Sequence, residues 1–358
     1  MRLNDSEMKV TSTKNPPSRR YFLKKLLSAA VGLWFWHRAI NPSSALEWRL
    51  DDAGKDAHQK PPSGTGFIFH KDYLQHRLTQ GHLESPKRLK TIMDRMKVSG
   101  LGKQVRPIRP LGNPLSAIHR IHSRAHVRLV MKTAREPSIC FLAVAGALTA
   151  VDFVCRNQLR NAFCAIRPPG HHAANSGLRG FCFFNNIAIA ARYAQSKYRL
   201  RKILIVDWDY HHGNGTEWAF YDDPSILYFS THCLQAFPHT GFPERRGEGP
   251  GYGYNINVPL LKGAKDRDIL NAFDRELLPA AERFKPELVL ISAGFDSRKN
   301  DPIGNFAVTD DGFARLTALT KSIADQYAGS RIISILEGGY NPEGSAMAVE
   351  RHVAELLG

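Results

Sequence analysis

The stretch Ile203-Leu204-Ile205-Val206-Asp207-Trp208-Asp209-Tyr210-His211-His212-Gly213-Asn214-Gly215-Thr216 decides the reading of the fold. An apolar, largely β-branched run passes directly into acids, histidines and glycines. A continuous apolar run closed by a Gly-rich turn marks a strand buried on both faces, as in a parallel sheet. In open α/β sheets, chemistry gathers beyond the carboxyl ends of such strands. Asp207, Asp209 and His211 alternate, so an extended chain would point all three to one side. Acids directly after a buried strand are costly without partners. Carboxylates beside an imidazole suit a hard-to-borderline cation such as zinc. The bland alternative is a turn with solvated polar residues.

Working outward, the same pattern repeats. Residues 161–166 read as a strand that stops in Arg167-Pro168-Pro169-Gly170-His171-His172-Ala173, where prolines end the strand and stiffen the turn. Adjacent side chains normally point apart, but a turn can bring two imidazoles to one cavity. Residues 287–292 end in Ala293-Gly294-Phe295-Asp296, and 331–336 end in Glu337-Gly338-Gly339-Tyr340. Residues 65–69, 105–107, 225–230 and 255–258 supply further short strands. Helical patterns lie between them at 89–96, 141–154, 187–194, 218–221, 270–284, 313–327 and 346–357, of which 141–154 is apolar on most faces. This alternation predicts one α/β domain, a mainly parallel sheet flanked by helices. His119, His122 and His126 fall at helical spacings and are expected on the surface of one helix.

With 358 residues, 43% hydrophobic and 23% charged, the chain can build one substantial globular core. The net charge is +16, and residues 1–45 contribute eight Lys/Arg against two Asp/Glu. The remaining excess is spread, without a dense basic stripe interleaved with aromatics, so no nucleic-acid partner is expected. Cys140, Cys155, Cys164, Cys182 and Cys233 contain no C-x-x-C pair. Neither a disulfide framework nor a zinc–thiolate site is indicated.

Ser18-Arg19-Arg20-Tyr21-Phe22-Leu23-Lys24 precedes a short apolar run over 26–36 and polar Asn41-Pro42-Ser43-Ser44-Ala45. A basic region, an apolar run too short for a comfortable span and small residues near a cut site make a secretory signal. The paired arginines followed by x-Phe-Leu-Lys resemble the bacterial twin-arginine export signal. That resemblance implies the twin-arginine export machinery as a partner, cleavage after Ala45 and a periplasmic location. An uncleaved anchor or a basic tail is the alternative. Residues 46–63 read as a polar linker and 64–358 as the folded domain.

In combination and order, RPPGHHA at 167–173, GFCFFNN at 180–186, VDWDYHHGNGT at 206–216, LISAGFD at 290–296 followed by Asp301-Pro302, and EGGY at 337–340 carry a resemblance. The sequence resembles the histone deacetylase superfamily, which includes acetylpolyamine amidohydrolases and bacterial deacetylase-like enzymes. The resemblance implies an arginase-like α/β fold with a parallel sheet of about eight strands. It implies that Asp209, His211 and Asp296 bind zinc, that His172 is the general base and acid, and that His171 is its partner, held by Asp207. Asn214 would orient His172; Asn there resembles the class II branch. Tyr340 would polarise the amide carbonyl. Phe181 and Phe237 match the aromatic walls of an acyl-lysine tunnel, with Gly180 and Ile303 beside them. Asp207, Asp209, His211, Ser230 and Thr231 match a structural potassium site, and Phe220, Asp223, Ile226 and Tyr254 a second one.

Such a set explains amide hydrolysis. Zinc acidifies water and polarises the carbonyl, histidines move protons, and a phenol stabilises the developing oxyanion. Two departures stand out. Between Val130 and Phe141 the only acid is Glu136, so the family's substrate-gripping acid is not evident. Ile303 stands where polyamine-selective members carry Glu, which removes support for a cationic polyamine. The expected activity is therefore removal of acetyl or similar acyl groups from an acylated amine or acyl-lysine. The alternatives are an acetylpolyamine amidohydrolase, a two-manganese ureohydrolase of arginase type, which needs extra paired acids, and a silent acyl-ligand binding module.

Overall fold

Residues 64–358 are described by the computed structural model. The twin-arginine reading of 1–45 and the linker reading of 46–63 lie outside the described residues. Among the described residues eight strands form: β1 Thr65–Ile68, β2 Arg106–Ile108, β3 Asn161–Cys164, β4 Ile203–Asp207, β5 Ile226–Cys233, β6 Asn255–Leu260, β7 Leu288–Ala293 and β8 Ile332–Leu336. They make one sheet in the order β2-β1-β3-β8-β7-β4-β5-β6. Every neighbouring pair is parallel. Helices flank the sheet, as the alternation of elements requires.

Burial explains the sequence of the central strands. Every residue of β3, β4, β7 and β8 is buried, whereas the edge strands β2 and β6 are only partly covered. A strand covered on both faces must be apolar at successive positions, which is why Ile203 to Val206 shows no alternation. Each fully buried Ile, Leu or Val contributes about 1.5–3 kcal/mol.

The topology then places the chemistry. β3 leaves one half of the sheet and β4 begins the other, with room for two strands between them. β7 and β8 later fill that gap. The four adjacent strands β3, β8, β7 and β4 thus surround the position where strand order reverses, the usual ligand-binding crevice of open α/β sheets.

The helix Pro137–Cys155 has a mean hydropathy of 2.1 over its most apolar stretch, of which 72% is buried within the protein. It is apolar all round because it is core, packed on the helix Asn186–Tyr198 and on β3. The predicted helix over 270–284 is three pieces: Asp266–Ala272, a wider π turn Phe273–Leu277, and Leu278–Phe284. Pro279 has no amide to donate and crowds the carbonyl one turn back, so the ladder widens before it. The helix expected at 218–221 starts earlier, as Asn214–Ala219.

The surface placement of His122 and His126 is corrected. The three histidines do not share a helix: Leu115–Ile118 is a single turn and Arg124–Thr133 a separate helix. His119 is exposed, but His122 and His126 are buried with rings stacked 4.3 Å apart. His122 Nδ1 meets Ala174 O at 2.8 Å, and its Nε2 accepts the Asn185 amide at 2.9 Å. His126 Nε2 meets Phe183 O at 2.7 Å, and its Nδ1 accepts the Gly177 amide at 3.1 Å. The irregular segment 174–185 has backbone polar groups that no strand satisfies, and these imidazoles satisfy them.

Candidate active site

β4 ends at Asp207, and the following residues turn rather than remain extended. The expectation that Asp207, Asp209 and His211 point to one side is therefore corrected. Asp207 turns to the histidine pair: its Oδ2 accepts from His171 Nδ1 and from the Tyr228 hydroxyl, each at 3.1 Å. Asp209 and His211 instead join Asp296, delivered from β7. One donor atom from each of these three lies within 4.8 Å of the others. His211 Nδ1 is 3.1 Å from Asp209 Oδ1 and 3.0 Å from Asp296 Oδ2. The Gly338 amide donates to Asp209 Oδ2 at 2.8 Å, and the Tyr210 amide to Asp296 Oδ1 at 2.9 Å. Both carboxylates are thus aimed before any ligand arrives.

The donor chemistry fits a divalent cation. Two buried carboxylates and one imidazole suit zinc and related borderline ions. Space is reserved around them: a Cβ on Gly294 would lie 2.0 Å from Asp209 Oδ2, and one on Gly338 2.3 Å from Asp296 Oδ2. Burial by itself would lower His211, yet hydrogen bonds and charge from Asp209 and Asp296 carry it to about 10. Burial, then the charge of Asp209, pushes Asp296 up to about 7. The excess negative charge at this point is what a cation would neutralise.

The histidine pair lies beside this cluster. The rings of His171 and His172 are 4.0 Å apart, and the His172 ring is 6.1 Å from that of His211. Burial opposes the charged form of His171, but the carboxylates of Asp209 and Asp207 outweigh it and raise the imidazole to about 10. Burial, reinforced by the charges of His171 and His211, drives His172 well below the usual imidazole range. Its Nδ1 donates to Asn214 Oδ1 at 2.9 Å, which leaves Nε2 with a free lone pair.

Phe237 packs edge-on to His172 at 5.0 Å and is exposed on its other side. Phe181 meets the Tyr340 ring at 5.9 Å and His82 at 4.5 Å. Gly180 packs so closely on His172 that a Cβ would lie 2.2 Å from that ring. Tyr340 is buried with the Arg88 guanidinium 4.8 Å over its ring. Ile303 is half-buried in the loop after Asp296. Glu136 occupies the N-cap position of the helix Pro137–Cys155 without a side-chain capping bond, and it pairs with Arg135 at 3.3 Å.

The histone deacetylase domain profile matches residues 82–356. This chain belongs to the histone deacetylase domain family. A "Probable deacetylase" of Archaeoglobus fulgidus is 35% identical over 297 residues, covering 78% of this chain and 82% of that protein. The "Polyamine deacetylase HDAC10" of Mus musculus is 38% identical over 329 residues, 82% of this chain and 48% of that protein. The chain therefore spans about half the length of these HDAC10 relatives. In three dimensions it matches the crystal structure of the HDA15 HD domain with a TM-score of 0.79 at 33% identity, covering 83% of this chain and 88% of that one. As a histone deacetylase family member it is a hydrolase of amide bonds that removes acyl groups from amines.

The family fold also contains side chains to which motif reading gave no role. Arg167 forks onto Glu84, with Nε at 2.5 Å from Oε1 and Nη2 at 2.6 Å from Oε2, and both side chains are buried. Arg88 joins Glu84 at 3.1 Å and donates to Glu337 O and Gly339 O. Glu337 Oε2 accepts the amides of Gly170 and His171 at 2.6 and 3.1 Å, fixing the histidine turn from β8. The only signal in the sequence was an acid and a base four apart, Glu84 and Arg88, beside a proline.

Proposed function

We propose that this enzyme is a zinc-dependent deacylase that removes acetyl or similar acyl groups from acyl-lysine or small acylated amines. The observation carrying this is that one crevice gathers the Asp209–His211–Asp296 donors, the paired His171 and His172 with Asp207 holding His171, and Tyr340. When bound, zinc supplies Lewis-acid chemistry, acidifying water and polarising the acyl carbonyl. The protein does the rest. His172 Nε2 takes the proton of the attacking water and returns it to the leaving amine. His171 stays charged against Asp207, and that charge keeps His172 neutral until the proton arrives. Burial holds the Tyr340 phenol well above its usual range, so it keeps its proton and donates to the oxygen on which charge develops. Phe181 and Phe237 line the approach with apolar surface that suits the methylenes of a lysine side chain.

Two variants test the assignment: His172→Ala and Asp209→Ala are each expected to lower acetate release from an acetyl-lysine reporter roughly 100-fold or more. Unchanged turnover in either would overturn it. Acetylpolyamines belong in the same assay. The HDAC10 relatives carry the name polyamine deacetylase, whereas apolar Ile303 offers a cationic chain no partner. Preference for acetylpolyamines over lysine peptides would replace the lysine reading.

A potassium ion is part of the proposal. Thr231 Oγ1 is buried without a partner among the described residues, and the adjacent Ser230 pairs in register with Asp207, which supports a cation near these residues, although the Ser230 hydroxyl already meets His232 Nδ1 at 2.9 Å. At the second proposed site, Phe220, Asp223, Ile226 and Tyr254, the Asp223 side chain is already held by Ser225 and Arg192. Export through the twin-arginine route rests on Arg19-Arg20 and the apolar run that follows. Cell fractionation of the full chain, with and without Arg19→Lys and Arg20→Lys, tests the periplasmic location.

A further inference from the structure

Tyr340 is held at the end of a turn that its own sequence does little to define. Gly338 and Gly339 precede it, and Gly339 sits at φ +117, a conformation open to glycine and rarely to other residues. The Tyr340 hydroxyl has no hydrogen-bond partner among the described residues, so the tip does not hold the ring. The backbone of the turn must hold it, and most of its polar groups can be followed. Arg88 takes the carbonyls of Glu337 and Gly339. The Phe295 amide takes Gly338 O at 3.1 Å, and Asp209 takes the Gly338 amide. The amides of Tyr340 and Asn341 both donate to Asp301 Oδ2, at 2.7 and 3.1 Å.

The other oxygen of the same carboxylate is also fully engaged. Asp301 Oδ1 accepts the amides of Ile303 and Gly304, each at 3.0 Å. Gly304 lies so close to the metal-donor segment that a Cβ there would stand 1.8 Å from Asp296 O. One carboxylate therefore bolts two loops together. One loop is seated on Asp296, and the other carries the phenol. Four backbone N–H donors converge on a group that contacts neither the histidine pair nor the donor cluster through its side chain. The Asp301-Pro302 motif had no chemical role in the reading of the site.

We propose that Asp301 is a positioning residue for Tyr340, fixing the distance of the phenol from the metal donors. This rests on the assignment of Tyr340 as the oxyanion donor. Asp301→Asn replaces one acceptor oxygen with an NH2, so one pair of amides faces a donor and one loop is released. Displacing a reacting group by about 1 Å costs up to roughly 100-fold. The expected result is a fall in kcat of about tenfold or more on the acetyl-lysine reporter, with zinc content per chain unchanged.

The deciding measurement is a double-mutant cycle with Tyr340→Phe. Because Asp301 acts through the phenol, Asp301→Asn is expected to cost less than about threefold once the hydroxyl is gone. An equal fold loss in both backgrounds, an unchanged kcat or a loss of zinc would each overturn the proposal. Full activity in Tyr340→Phe alone would instead overturn the reading beneath it. If Asp301→Asn is too unstable to purify, Asp301→Glu, which keeps the charge but displaces the oxygens by one methylene, carries the same cycle.

Discussion

A methyl group on Gly294 would lie 2.0 Å from Asp209 Oδ2 and 2.5 Å from its Cβ. The carboxylate cannot step aside easily, because the Gly338 amide and His211 hold its two oxygens. Gly294→Ala is therefore expected to fold but to bind zinc at least about tenfold more weakly, the usual scale for disturbing what orients a metal ligand. Competition with a chelator, with circular dichroism as the folding control, measures this; wild-type affinity would refute it. At this scale the sequence was informative about residue type and misleading about direction. Asp207, Asp209 and His211 alternate in sequence, but the strand stops at Asp207, and a carboxylate two positions away belongs to a different cluster.

Among the elements, the segment 174–185 depends most on others. It carries Gly180 and Phe181, and its backbone is tied to the buried imidazoles of His122 and His126. His126→Ala would leave Phe183 O and the Gly177 amide without partners, at a cost of about 1–3 kcal/mol for each group left buried. Hydrogen–deuterium exchange is expected to quicken across 174–185 while β3, β4, β7 and β8 keep their protection. Uniform exchange throughout would show that the imidazoles do not anchor the segment. Histidine spacing could not reveal this, because the partners lie some 50 residues later.

For the molecule as a whole, buried histidines set the response to acid. Burial is the leading cause that lowers His76 to about 4 and His122, His232 and His352 to about 3, all from 6.5. Since the folded-state values are depressed, the unfolded chain binds more protons below pH 6.5. The stability these groups contribute is full above pH 6.5 and is lost as pH falls toward 4 and 3, at up to about 1.4 kcal/mol per pH unit for each group. Glu84 has the same sign lower down: burial would raise it, but Arg167 and Arg88 bring it from 4.5 to about 2. His171 and His211, raised to about 10, change their contribution only above pH 6.5. Asp296 and Glu337, raised by burial to about 7, and Asp207, also raised, work the other way, because the folded state binds their protons first and gains stability as pH falls toward 4.5. The four histidines outnumber these carboxylates, so melting temperature is expected to fall from pH 6.5 to 4.5, and a rise over that range would contradict the burial of these rings.

The sequence by itself determined the class of fold and the kinds of side chain in the site. Short apolar runs closed by Gly-rich turns mark strands covered on both faces, and polar residues placed directly after them require partners. Four such strand ends were legible, and they supply Asp209, His211, Asp296, His172 and Tyr340. Tertiary structure decided which of them meet, because sheet order is not written in any local pattern. Only the return of β7 and β8 between β3 and β4 brings the four ends side by side. The supporting groups were hidden for the same reason. Glu84 pairs with Arg167 some 80 residues on, while Arg167, Glu337 and Asp301 hold backbone groups far along the chain, and nothing in their own neighbourhood records these distant partners.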